Sequence, residues 1–329
     1  MLALWIVVAL ALVFNYTNGF HDAANAIATA VSTRALPLRW ALALGAVMNL
    51  VGALLSTGVA VTVADGVITP PAGSDGLAVV LAAVVGAIVW NVVTWYFGLP
   101  SSSSHALIGG LVGAALAAAS QVHWTGVIEK VIVPMIVSPL VGLALGYGTM
   151  TAVLWAFRNG NAHRVRRGFR HAQIGSAAAL ALGHGLQDAQ KSMGVIVLAL
   201  AVSGVGHGDG VPLWVVLSCA AAMAAGSYSG GLRVMRTLGR RVFPMTPPHG
   251  FAAELSGAAV LYVTAFAWAA PISTTHVMTT AIMGVGATRR PRAVRWGIAA
   301  DIVTGWILTL PAAALVAAVV YWPASLVLG

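Results

Sequence analysis

The stretch GFHDAAN at 19–25 puts a carboxylate, Asp22, into a run of apolar residues, and GLQDAQK at 185–191 does the same with Asp188. A carboxylate at the centre of a bilayer costs about 2.5–3.5 kcal/mol even on a lenient scale, so it needs a reason to be there. One reading is a site that exchanges a cation or a proton. The other is a structural acid held by hydrogen bonds from a neighbouring helix. Recurrence of the acid at matching positions favours the first. Asn18, His21, Asn25 and Thr29 fall at helical spacings around Asp22 and predict a polar face. His184, Gln187 and Lys191 stand near Asp188. Lys191, three residues on, is placed either to pair with Asp188 or to meet an anion.

A second pair of stretches carries hydroxyls. PSSSSH at 100–105 lines up with PISTTH at 271–276. Proline ends the preceding helix, Ser and Thr are good N-caps, and the residues after them start a new half-helix. A helix N-terminus offers free amides and a positive dipole end. With Ser101, Ser102, Ser103 and Ser104 on one side and Ser273, Thr274 and Thr275 on the other, the pattern predicts two facing cradles for a tetrahedral oxyanion. The competing reading is that these hydroxyls ease helix packing; duplication with proline before and histidine after weighs against it. His105 and His276 read as hairpin supports rather than titrating groups, and His21 beside Asp22 is the better candidate for proton coupling. No H-x-x-x-H or His/Cys cluster points to a metal, no cofactor is implied, and Glu254 and Asp301, near predicted segment ends, stay outside the core site.

The elements that must position these groups are membrane helices. Of 329 residues, 59% are hydrophobic and 8% charged, with mean hydropathy +0.91, too few charges for a water-facing surface. Apolar segments long enough to cross a hydrocarbon core run at about 1–33, 40–63, 77–98, 101–120 and 130–157, and again at 172–203, 211–230, 251–270, 271–288 and 296–322. Residues 1–14 lack a basic leader and read as a retained helix. A single cysteine, Cys219, excludes an internal disulfide. The net charge of +9 comes from seventeen basic residues, all arginine except Lys130 and Lys191. They cluster in short loops, which fits cytoplasmic loops of a membrane protein rather than nucleic-acid binding. Loops 34–39, 158–172, 231–249 and 289–295 are thereby placed inside. Loops 64–76, 121–129 and 204–210 carry no Lys or Arg and are placed outside, as are both termini.

The halves therefore run in opposite directions: residues 1–157 form a first transmembrane repeat, 158–171 a basic cytoplasmic linker, and 172–329 a second, inverted repeat. The motif offsets, 166 residues for the aspartates and 171 for the histidines, agree within loop-length variation. The expected fold is an all-α polytopic membrane protein of two inverted-topology repeats with paired re-entrant or broken helices. Repeats of this kind mark alternating-access transporters, with sites at the midplane between the repeats. An anion channel would need no duplicated acids, and an intramembrane serine hydrolase would need one asymmetric site, so no enzyme is expected.

NGFHDAANAIAT at 18–29, WNVVTWYFGLPSSSSHALIGG at 90–110, GHGLQDAQKSMG at 183–194 and PISTTHVMTT at 271–280 resemble the inorganic phosphate transporter (PiT) family over essentially the whole chain, most closely its bacterial low-affinity permeases. The resemblance implies phosphate held between two hairpins and coupling-ion sites around Asp22 and Asp188. Its bacterial members are typically proton symporters and carry neutral metal–phosphate complexes; a few members carry sulfate. Sodium-coupled members typically show an Asn-Asp pair in each half. Here His21-Asp22 and Gln187-Asp188 replace it, which favours protons over Na+. The expected partners are phosphate, protons (or Na+) and the lipid of the cytoplasmic membrane, with no nucleic acid and a homodimer left open. The expected coupling-ion set is Asp22, Asp188, His21, Asn25, Gln187 and Lys191.

Overall fold

The computed structural model describes residues 1–205 and 210–328. Helix α1 (Leu2–Ser32) is followed by α2 (Leu38–Ala53) and α3 (Gly58–Asp65), and β1 (Ile68–Thr69) then leads into α4 (Ser74–Phe97) and α5 (Ser103–Ala117). After β2 (Gln121–Val122) come α6 (Trp124–Val127), a π-helical turn and α7 (Val133–Ala156). The rest comprises α8 (Ala162–Val202), α9 (Leu213–Ser229), α10 (Leu232–Arg236) with a π-helical continuation, α11 (Pro247–Ala267), α12 (Thr274–Arg289) and α13 (Trp296–Leu328). Among the described residues, five helices are long and apolar enough to cross a membrane, and α9 with α10 and its π-helical continuation, bent by 57°, counts as a sixth if the pair is one span. The chain is a multi-pass helical membrane protein.

Three expected boundaries shift. The segment 40–63 breaks at 54–57 into α2 and α3. The stretch 231–249, read as a loop, holds α10. The basic stretch 158–171 is helical from Ala162 onward, where the Asn161 side chain accepts from the amides of His163 and Arg164.

Helices of the two halves pack across each other in matched order. Helix α1 lies along α9 and α8 along α2; α13 lies along α4 and α5, and α7 along α12 and α11. Gly113 of α5 rests against the Ala314 backbone, and Gly146 of α7 against that of Ala281. At the α9–α10 break, a Cβ on Gly231 would stand 2.3 Å from the carbonyl of Phe20, so only glycine lets the break close on α1 beside His21.

The loop charges sort onto two faces. Strands β1 and β2 pair antiparallel, Ile68 opposite Val122, and the Gly73 amide donates to Val202, so three arginine-free connections share one face; residues 206–209 of the third lie outside the described residues. On the other face, Arg236 and Arg240 approach Ser32 and Leu38, Arg295 donates to the Val242 and Arg241 carbonyls, and Thr33 donates to Gln173.

Two helical pairs turn back within the buried interior of the bundle. Helix α4 ends at Gly98 (φ +67°), with the Leu99 amide bonded to Thr94; α11 ends before Ala269 (φ +46°), with the Ala270 amide bonded to Thr264. Proline follows in both, then a serine cap: Ser102 accepts from the His105 amide and Ser273 from that of His276. Helices α5 and α12 return to the faces from which α4 and α11 came.

Candidate functional site

The two hairpin tips meet. The Ser104 hydroxyl donates to Ile272 O (3.1 Å), the Trp306 indole donates to Pro100 O (2.8 Å), and the rings of His105 and His276 lie 4.9 Å apart, with His276 stacked on Trp306 at 3.9 Å. The two histidines thus sit in the contact between the hairpins. The first-turn amides of α5 and α12, which a helix leaves without an internal partner, face this junction.

Helices α1 and α8 pass the junction and deliver their aspartates to it. Asp22 accepts from His21 Nδ1 (2.8 Å), Asn25 Nδ2 (3.1 Å), Ser103 Oγ of the first hairpin (2.9 Å) and Thr275 Oγ1 of the second (3.2 Å). Asn25 also donates to Thr275 (2.7 Å). Asp188 pairs with the Lys191 ammonium, lies 2.9 Å from His184 Nε2 and accepts from Thr274 Oγ1 (3.1 Å). All of these groups are buried. Asp22, His184 and Asp188 each offer a ligand atom, and the three atoms lie within 4.8 Å of one another, a cluster of a size to hold a cation.

The seven predicted hydroxyls divide by role. Ser103, Thr274 and Thr275 reach the carboxylates, Ser102 and Ser273 cap their helices, Ser104 joins the hairpins, and Ser101 bonds Thr94 (2.8 Å). Of the predicted coupling set, Asp22, His21, Asn25, Asp188 and Lys191 converge. Gln187 does not join them: its amide meets the Thr264 hydroxyl of α11 (3.0 Å). Lys191 takes the first of its two sequence readings and pairs with Asp188.

Sequence reasoning missed several participants. Thr94 links His21 Nε2 (3.1 Å) to Ser101; it sits in the TWYFGLPSSSSH run but is one threonine among many. Asn49 of α2 holds His184 Nδ1 (3.0 Å), with no local signal to reveal it. Asn18 and Asn91, one helical turn before His21 and Thr94 on the same faces, are fully buried with no hydrogen-bond partner among the described residues. Glu254, set aside as an end residue, is fully buried. It accepts from Thr29 (2.6 Å), Gln173 (3.0 Å) and Ser176, tying α1, α8 and α11 below the junction.

The profile described as "Phosphate transporter family" matches residues 18–164 and 158–317, covering both aspartates and both hydroxyl runs. The chain belongs to the phosphate transporter family. This is a family of transporters, not enzymes. The chain is 50% identical over 323 residues to a "Probable low-affinity inorganic phosphate transporter" of Mycobacterium tuberculosis H37Rv, covering 97% of this chain and 76% of that protein. Proteins of the same description from Rhizobium meliloti 1021 (46% over 325 residues; 97% and 96% covered) and Bacillus subtilis 168 (42% over 320 residues; 96% of each) are also similar. A solved structure, "The sodium-dependent phosphate transporter", superposes over 100% of both chains with a TM-score of 0.88 at 23% identity, a likeness of fold.

Proposed function

We propose that this transporter is a secondary active symporter that imports inorganic phosphate across the cytoplasmic membrane, driven by protons. The two halves act as inverted repeats, the arginine face is cytoplasmic, and the junction opens to each side in turn. The observation that carries the reading is that hydroxyls from both hairpin tips donate to the two buried aspartates. Those hydroxyls and the adjoining helix N-termini are the donors a phosphate would need. In the geometry described here the carboxylates take them.

Coupling follows from that competition. An ionised Asp22 holds Ser103 and Thr275, and it repels an entering anion. Two unit charges about 5 Å apart interact by roughly 3 kcal/mol at an effective dielectric of about 20. A proton delivered to Asp22, with His21 and Thr94 as its neighbours, weakens both effects and frees the hydroxyls for phosphate. Proton and phosphate then favour each other's binding reciprocally. Asp188 is already compensated, because Lys191 occupies the position a small cation would take against it. This supports one exchangeable charge, at Asp22, rather than two matched sodium sites.

Sodium coupling is the second reading, favoured by the Asp22–His184–Asp188 cluster. Uptake of radiolabelled phosphate into proteoliposomes separates the two. Accumulation above equilibrium with an inward proton gradient alone is expected. Accumulation with a sodium gradient alone would overturn proton coupling, and accumulation of sulfate instead of phosphate would overturn the substrate.

A further inference from the structure

Away from the junction, on the arginine face, the last two turns of α7, the first turns of α8 and the start of α11 enclose an open groove of about 820 Å³. Its apolar walls include Ala152 and Ala156 of α7, Val165 and Gly168 of α8, and Phe251 and Leu255 of α11. The spacings are helical, so the groove runs along helix faces into membrane depth. Arg164, in the first turn of α8, is part of its lining. Residues 158–171 hold five arginines and two histidines and no acid. Exposed Trp155 and Phe157 mark the interfacial level, with Arg158 drawn over the Trp155 ring at 5.5 Å.

We propose that this groove is a binding site for an anionic phospholipid, its acyl chain lying between α7 and α11 and its phosphate held by Arg164. The charge is complementary, and basic pockets between membrane helices on this side suit anionic head groups. A free anion would leave the apolar walls without a role. A second copy of the chain docked by a two-fold axis would set arginine against arginine. At 100° per residue, Arg164 borders the groove-facing stripe of α8 (Val165, Gly168, Phe169 and Ala172), whereas Arg170 lies on the opposite side. Phe251 and Leu255 flank Glu254, so an occupied groove braces α8 and α11, two of the three helices that Glu254 joins.

The side-specific placement supplies the test. Protein purified in detergent is incubated with phosphatidylglycerol or with phosphatidylcholine of the same chains, and retained lipid is counted by native mass spectrometry. Retention of phosphatidylglycerol at least tenfold above phosphatidylcholine is expected. The R164Q variant should lose it by at least tenfold, while R170Q, of equal charge and on the opposite side of α8, keeps it. Ala156→Trp fills the apolar floor from an exposed position and should also displace the lipid. Equal retention of the two lipids, equal loss in the two charge-matched variants, or unchanged retention in Ala156→Trp would each overturn the site.

Discussion

Replacing Asp22 by asparagine keeps the shape of the side chain and removes its charge. Of the four hydrogen bonds that Asp22 accepts, two come from the hairpin tips, Ser103 at 2.9 Å and Thr275 at 3.2 Å. Hydrogen bonds to a charged group contribute about 1.5–3 kcal/mol, and neutral ones about 0.5–1.5 kcal/mol. The substitution therefore weakens the hold on the two hydroxyls by about 2–3 kcal/mol in all, before any relief of charge repulsion. Competition with phosphate weakens by the same amount, about 30- to 150-fold in affinity. The Asp22→Asn protein should thus bind phosphate more tightly than the parent at pH 8. Parental affinity should rise more steeply as pH falls than the variant's, which keeps only the pH dependence of phosphate's own ionisation. Proteoliposomes of the variant should exchange labelled for unlabelled phosphate yet fail to accumulate it against a gradient. Equilibrium binding of radiolabelled phosphate at pH 6 and pH 8 reads the first part, and counterflow against gradient-driven uptake reads the second. A variant that binds phosphate tenfold more weakly than the parent at both pH values would refute the reasoning, because it would make the Asp22 charge part of the phosphate site.

Four further outcomes are expected. Lys191→Met strands a buried carboxylate and should cost about 3–5 kcal/mol, with most of it recovered in a double variant carrying Asp188→Asn; thermal exposure of the single buried thiol, Cys219, to a fluorogenic reagent reports the unfolding. Ser102→Ala and Ser273→Ala each remove a helix cap and should each cost about 1 kcal/mol by the same assay. Ala269→Gly should stabilise by about 1 kcal/mol, since Ala269 holds φ +46° at the turn position that Gly98 fills in the other hairpin; a loss of stability would contradict the strain. Glu254→Gln turns one acceptor oxygen into a donor facing hydroxyls, and should lower stability by about 1–3 kcal/mol and slow uptake while leaving the KM for phosphate unchanged.

What could be read from the sequence was what is local. Apolar run lengths located most of the helices but overcounted the spans, since 40–63 breaks and α5 is too short to cross, and short motifs gave the aspartates, the caps and the hairpin turns, because P-S-S-S-S-H and P-I-S-T-T-H each contain a helix stop and a helix start. Arginine placement sorted the loops by face for the same reason. The break at 54–57 was hidden because Leu54, Leu55, Ser56 and Thr57 include neither glycine nor proline. The helical state of 162–171 was hidden because its apolar stripe is thin among arginines. Pairings across the chain were out of reach. Thr275 finds Asp22 across 253 residues, and Glu254 finds Thr29 across 225. Nothing in either neighbourhood says which hydroxyl meets which acid. Glu254 looked like an end residue because arginine loops lie nearby, yet α11 starts at Pro247 and carries it two turns inward.

The departures between the matched stretches become mechanistic once the packing is known. At an offset of 166, Asn25 stands where Lys191 stands, and His21 where Gln187 stands. The first acid is thus surrounded by neutral or titratable donors shared with both hairpins, while the second is fixed to an ammonium on its own helix. Lys191 offsets one of the two carboxylates, while Asp22, the acid that grips both hairpin tips, has no ammonium on its own helix beside it. On the proposed proton coupling, one proton reaching Asp22 releases both tips together. With sodium the release would require a cation to enter a space whose oxygen ligands Gln187 does not supply, since its amide is turned to Thr264. The asymmetry of the pair therefore argues for one coupling charge per phosphate, read at Asp22.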